Sequence, residues 1–405
     1  MGIFFFTRLR VGVALAAAAT CLLLLAYPAL SRETGAHRRP AVSAYTTALN
    51  GLETATHQAL DSYMNRTSPS DPRYYADGVW NANDGPSCWF CYDSPAVAAA
   101  TLSRLQGNAS LAKVAIDTFT HAISVYQLPS GAIADTPGAA PDGIGTGFFG
   151  VDLGMTYLEL GPVLPAATRA DWSAALAKLA SYLISSGDTT WYVNGNDNLR
   201  YTEVMWLAWA ATHQQRFLTA YNSEWQFTIH PPQQRWPGFG LHITKVPTRA
   251  DGSNGAGYLA EAVYQQTPGF DPSYTMVQLD TATDLYVLTR DPRYLRLMNL
   301  EFNQLRPLVN SGWILNATGG SRKNDMVPFV TGAVTVLAAS GDRPDLVREV
   351  GSQLAFVEGA YRQLADITSP NFYKGFESWL AMPLLNREWP HGMASPASIA
   401  ASRHS

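Results

Sequence analysis

Two kinds of helix alternate along most of this chain, and that alternation restricts the folds open to it. One kind is apolar on most sides, at 95–106, 148–160, 199–212, 275–289, 325–340 and 375–386. Leu199–Thr212 holds Val204, Met205, Trp206, Leu207, Trp209 and Ala211, leaving few polar residues to face water. A helix apolar all round is buried all round. The other kind is amphipathic, at about 43–65, 109–127, 168–185, 214–225, 292–308 and 344–365. Val347, Val350, Leu354, Val357, Tyr361 and Leu364 mark one stripe at spacings of three and four, and Trp172, Leu176, Leu179 and Leu183 mark another. Six buried helices alternating with six amphipathic ones predict an all-α fold, an (α/α)6 toroid in which an inner barrel is shielded by an outer ring. An α-solenoid of hairpins is the competing architecture, but its repeats are self-similar at a fixed period. No such repeat is visible here.

The linkers between helices are unequal. Short turns lie near 107–109, 161–167, 212–214, 290–292 and 341–344, whereas long connectors run roughly 67–93, 128–147, 186–198, 226–274, 310–324 and 366–374. In a ring of hairpins every outer-to-inner connector emerges at one end, so one face is built out with loops. Loop elaboration on one face of a rigid scaffold is where sites are found. Helix starts are punctuated by Ser94-Pro95, Asp271-Pro272 and Asp291-Pro292, each placing a capping oxygen before a proline whose missing N–H costs nothing there.

The ends predict export. Arg8 and Arg10 precede the nearly uncharged run Val11–Leu30, and Ala29-Leu30-Ser31 offers small residues for cleavage. Residues 1–31 are therefore read as a signal peptide or, if retained, an N-terminal membrane anchor. Residues 32–40 form a tether, 41–388 the toroid domain and 389–405 a disordered tail. The expected location is outside the cytoplasm, with membrane contact only through 11–30. Cys88 and Cys91 are the two cysteines beyond the signal; in an exported chain they are expected to form a small-loop disulfide. A net charge of −4 argues against a nucleic-acid partner. No His/Cys/Asp cluster has metal-ligand spacing, so neither metal nor cofactor is expected.

The connectors carry the chemistry. Trp89, Trp191, Trp236 and Trp313 offer flat rings on which the C–H faces of sugars stack, and neighbouring Asn, Asp and Gly residues suit sugar hydroxyls. The fourth connector is richest, running Arg249-Ala-Asp251-Gly-Ser-Asn254 through Tyr258 and Glu261 to Asp271 and Tyr274. It supplies Asp251 and Glu261 as candidate catalytic carboxylates, Tyr274 as a candidate catalytic phenol, and Asn254 and Tyr258 as substrate contacts. The third supplies Asn196, Asn198, Arg200, Tyr201 and Glu203, too many polar groups for a buried helix start without a partner. The fifth supplies Arg322, placed to grip a carboxylate.

Asp251-Gly252-Ser253 leading to Tyr274, the entrance at Asn198–Arg200, and Ser321-Arg322 before the next inner helix resemble the α-helical catalytic domain of polysaccharide lyases of the hyaluronate/chondroitin type. The resemblance covers roughly 190–330. It implies an α/α toroid and cleavage of uronate polymers by β-elimination, with Asn198 and Arg200 or Arg322 neutralising the carboxylate and Tyr274 or Tyr258 moving the proton. The catalytic His that follows Asp-Gly-Ser in that family has no counterpart, since no His lies between 243 and 390. The expected function is cleavage of glycosidic bonds in a polysaccharide or oligosaccharide, by β-elimination or by hydrolysis. Hydrolysis needs paired carboxylates, drawn from Asp84, Asp197, Glu203, Asp251, Glu261 and Glu377. The alternative is a non-catalytic cell-surface glycan-binding protein.

Overall fold

A computed structural model describes residues 94–339 with short breaks at 137, 162, 191–193, 265–266, 321–325 and 330, and pieces within 54–61, 75–80 and 343–356. The expected signal, the Cys88/Cys91 pair, Trp89, Trp191, Arg322, the sixth inner helix and the tail lie outside the described residues.

The chain forms an α/α toroid. Four complete hairpins are described: α1 (Ser94–Gln106) with α2 (Ala109–Tyr126), α3 (Gly143–Leu160) with α4 (Ala166–Ser186), α5 (Gly195–Thr212) with α6 (Gln215–Ile229), and α7 (Pro272–Thr289) with α8 (Pro292–Leu305). A fifth inner helix, α9 (Ala333–Ala339), follows. The odd-numbered helices pack side by side in the order α1, α3, α5, α7, α9, which makes them the inner wall. The even-numbered ones sit outside, and α2, α4 and α8 also touch the next inner helix. Among the described residues, the apolar and amphipathic segments thus fall inside and outside as the patterning requires.

Local chemistry closes the short turns. Asn108 accepts N–H groups of Ser110 (3.0 Å) and Leu111 (3.4 Å) to start α2. His213 and Arg290 end α5 and α7 in the left-handed region, at φ 56° and 59°, returning their N–H groups to Trp209 and Tyr286. Asp271 and Asp291 cap α7 and α8 as expected, accepting from the N–H groups of Tyr274 (3.1 Å) and Arg293 (3.0 Å).

Packing fixes the ring. Trp172 of α4 is 1% exposed and meets Phe119 of α2 edge-on at 5.7 Å, and Phe119 in turn lies 5.8 Å from Phe149 of α3. A glycine row on α3 lets α5 come close: Cβ atoms at Gly147, Gly150 and Gly154 would run into Tyr201, Val204 and Leu207. Tyr221 and Tyr294 bond hydroxyl to hydroxyl at 2.8 Å and tie α6 to α8.

The fold adds one feature and corrects two helix boundaries. The connectors are not strand-free: they fold as two-stranded antiparallel ribbons, β1–β2 (Tyr75–Ala76, Val79–Trp80), β3–β4 (Ile133–Ala134, Pro141–Asp142), β5–β6 (Leu241–Lys245, Ala256–Leu259), β7–β8 (Glu261–Tyr264, Thr267–Gly269) and β9–β10 (Ile314–Asn316, Met326–Pro328). These strands of two to five residues are too short for a period-2 pattern to register. Inner helix α9 starts at 333 rather than 325, because Met326–Pro328 pair with Ile314–Asn316 and Pro328 bars its predecessor from helical geometry. Helices α3 and α5 start about four residues early, so the Asn/Gly/Asp run at 194–198 opens a helix instead of forming only a turn.

Candidate active site

Each inner helix begins at the connector end, so the residues opening α3, α5 and α7 surround the mouth of the ring. The second connector supplies Asp135 and Asp142. Asp142 caps α3, accepting the Ile144 N–H at 3.0 Å. Burial, followed by the neighbouring Asp135 carboxylate, holds Asp142 above the usual carboxylate range. The third connector supplies Asp188, fixed by the Ser186 hydroxyl at 2.7 Å. Asp188 sits against Gly143, where a Cβ would come within 2.5 Å of its Oδ2 and would push the carboxylate aside.

The opening of α5 is unusual. The side chain at its cap position, Asn194, accepts no N–H from the first turn of the helix. The orphan N–H of Asn196 is instead taken by Glu261 Oε1 at 2.8 Å, 65 residues further along the chain. Glu261 is fully buried, and Gln278 of α7 donates to the same oxygen. Asn194 Oδ1 accepts the Ala262 N–H at 3.3 Å, and the Gly195 N–H reaches Ala260 O at 3.2 Å. The third and fourth connectors are thus stitched together. Burial first, then Asp197 and Asp271, raise the Glu261 carboxyl well above its ordinary value, against the Asn196 and Gln278 hydrogen bonds. Asp197 accepts from Asn196 Nδ2 (3.0 Å) and Asn194 Nδ2 (3.4 Å) and is 6% exposed. Asp271 continues the row, its carboxylate pressed against the backbone of Gly320 in the fifth connector.

Tyr201 reports the field at the mouth. Its ring is 4% exposed, and its phenol is pushed well above the usual value by burial and then by Asp197, Asp188, Asp142 and Glu224. These four carboxylates all act in the same direction. Arg200 is 2% exposed, is paired with Glu203 at 3.5 Å, and lies over the Phe148 ring at 5.2 Å. Asn198 is fully buried, and neither side-chain polar atom has a partner among the described residues. Among the described residues no His/Cys/Asp/Glu group has the arrangement of a metal site.

The expected site residues therefore divide. Asn196, Asn198, Arg200, Tyr201, Glu203 and Glu261 gather at the mouth, with Tyr274 in the first turn of α7. Asp251 and Asn254 do not join them. Their loop packs along the outer helix α8, with Asp251 O bonded by Asn299 Nδ2 (2.9 Å) and Ser253 O and Gly255 O bonded by Asn303 Nδ2 (3.0 and 2.7 Å). Asp251 itself closes a local turn onto Ser253. Asn254 Oδ1 accepts the N–H groups of Thr248 and Arg249, bracing the same loop. Trp313 is core rather than an exposed platform: it is 5% exposed, parallel to Phe329 at 6.3 Å, and bonded to Ser352. Tyr258 stacks on His242 at 5.3 Å, and Trp236 lies under Arg235 at 5.1 Å. Asp135, Asp142 and Asp188 were absent from the sequence-derived site. Their signal was positional, since Asp142 stands directly before an inner helix.

No protein-family model matches the sequence, and no curated protein matches it. Among solved structures the chain is similar to a D-mannose isomerase, at 12% identity and TM-score 0.47 over 80% of this chain and 88% of that one. It is also similar to a family 76 glycoside hydrolase (mannosidase) from Bacteroides thetaiotaomicron VPI-5482, at 12% identity and TM-score 0.46 over 84% and 100%. A family 76 glycoside hydrolase from a bovine Bacteroides thetaiotaomicron strain matches at 12% identity and TM-score 0.42 over 88% and 76%. All three are carbohydrate-active enzymes, and none is a polysaccharide lyase.

Proposed function

We propose that the chain is an exported glycoside hydrolase that cleaves an uncharged glycan at the carboxylate-lined mouth of the ring. The observation that carries this reading is the row Asp135, Asp142, Asp188, Asp197, Glu261 and Asp271 across the openings of α3, α5 and α7. Hydrolysis of a glycosidic bond needs one protonated carboxyl to donate to the leaving oxygen and one carboxylate to act on the sugar or on water. Asp142 is half-buried and held protonated beyond the ordinary range, which suits the acid. Asp197, at the head of α5, is the partner carboxylate. Glu261 positions Asp197 by capping that helix from across the fourth connector. β-Elimination fits less well: it requires cations to neutralise a uronate, and an acidic mouth repels a polyanion.

The protonation of Asp142 sets a pH dependence. Turnover is expected to fall on the alkaline side as Asp142 loses its proton, above the pH where an unperturbed carboxyl would have titrated. Asp142→Asn should remove most activity, by about 10²–10⁴-fold, with circular dichroism unchanged. New reducing ends, assayed against a panel of neutral and acidic polymers, check both points. Ultraviolet-absorbing unsaturated products from an acidic polymer would overturn the hydrolytic assignment. Binding without cleavage on every glycan would favour a glycan-binding protein instead.

A further inference from the structure

The segment with the densest polar chemistry in the sequence, Arg249–Gly255, contributes nothing to the ring mouth. It lines a cleft of 780 Å³ on the outer flank, between the β5–β6 ribbon and helix α8. Its lining includes Lys245 of the ribbon, Arg249 of the loop, Gln304 of α8, Leu308 just beyond α8, Arg343 and Phe270. None of the mouth carboxylates borders it.

We propose that this cleft is a second ligand site, which holds an anionic glycan through Lys245 and Arg249. Three features support it. First, the charge leans opposite to that of the mouth: Lys245, Arg249 and Arg343 line the cleft with the carboxylate of Asp345, and the Asp251 carboxylate lies 3.6 Å from Arg249. Arg343 is committed to structure, gripping Asp345 through two nitrogens and the amide oxygens of Asn299 and Asn303 at 3.0 Å. Lys245 is exposed and has no partner among the described residues, and Arg249 is 44% exposed with Asp251 at 3.6 Å. Lys245 therefore faces the cleft as an exposed ammonium, and Arg249 adds a paired but solvent-facing guanidinium. Second, the wall is built to last. The loop is pinned to α8 by Asn299 and Asn303, and Thr244 donates to Gln304 Oε1, which leaves the Gln304 amide nitrogen available for a hydroxyl. Third, Phe270 and Leu308 add apolar surface of the kind that sugar C–H faces cover.

The recognised chemistry is a sugar chain carrying carboxylate or phosphate, bound without bond cleavage. Such a site would hold the protein on a charged polymer while the mouth acts on neutral linkages, and it does not depend on the mouth being hydrolytic. Calorimetric titration of the full chain carrying Asp197→Asn, which removes turnover, tests it. The probes are an oligo-uronate, a phosphorylated oligosaccharide, a neutral oligosaccharide of equal length, and inorganic phosphate. The expected result is binding of at least one charged oligosaccharide and weakening by at least about tenfold when Lys245→Ala and Arg249→Ala are combined. Binding should also weaken steeply with added salt, since exposed charges are screened. The double variant should keep its fold and, in the Asp197 background restored, its cleavage activity. Comparing the two charged oligosaccharides tells carboxylate from phosphate as the recognised group. Failure of both to bind, unchanged affinity in the double variant, or equal competition by inorganic phosphate alone would each overturn the proposal.

Discussion

Replacing Asp197 by Asn is expected to lower kcat on the cleaved glycan by about 10²–10⁴-fold, the range a positioned acid or base contributes, with little change in KM. The substitution keeps size and shape. Asn194 and Asn196 donate to the carboxylate at 3.4 and 3.0 Å, so the amide loses part of that pairing but not the fold of the opening turn. The helix itself is still capped by Glu261. Asp251→Asn is the matched control, because Asp251 lies on the outer flank against α8 and should leave turnover unchanged. The assay is reducing-end release at saturating and limiting substrate, with thermal midpoints recorded alongside. Equal losses in the two variants would remove Asp197 from its assigned place.

Trp172→Ala is expected to destabilise the chain by about 3–5 kcal/mol, as large-to-small changes at a filled aromatic site do. Trp172 is 1% exposed, wedged edge-on against Phe119 at 5.7 Å, with its indole N–H on the Thr120 hydroxyl at 3.3 Å. Its removal opens a cavity where α2, α3 and α4 meet and leaves that hydroxyl without its donor. The denaturant midpoint should drop while the slope of the transition stays constant, because the surface exposed on unfolding is nearly the same. Val163→Ala, 63% exposed in a short turn, should shift neither. A loss below about 1 kcal/mol for Trp172→Ala would mean that outer helix α4 does not shield the barrel as described.

The ring was legible because its signal is long and periodic. Thirteen to twenty-one residues of patterned helix outweigh local noise, and the prolines at 272 and 292 marked where helices begin. The ribbons were not legible, since strands such as Ile133–Ala134 span two residues and are set by their partners. The geography of the candidate residues was legible only in part. Asn196, Asn198 and Glu203 were recognisable as polar groups at a buried helix start, and they do gather at the mouth. Glu261 was recognisable only as a carboxylate; that it caps α5 depends on 65 intervening residues that no local pattern encodes. Asp251 misled because a glycine-rich loop with a carboxylate reads the same whether it faces a ligand or wraps an outer helix. Asp142 was not singled out in the sequence, yet in the fold it caps α3 and its burial shifts its protonation.

The most direct measurement follows oxygen. Glycan cleaved in heavy-oxygen water should carry one heavy oxygen at each new reducing end by mass spectrometry, with no unsaturated sugar in the products, if the mouth carboxylates hydrolyse the bond. Products that are unsaturated and unlabelled, or no cleavage of any glycan by the intact chain, would contradict a hydrolytic site at the mouth of the ring.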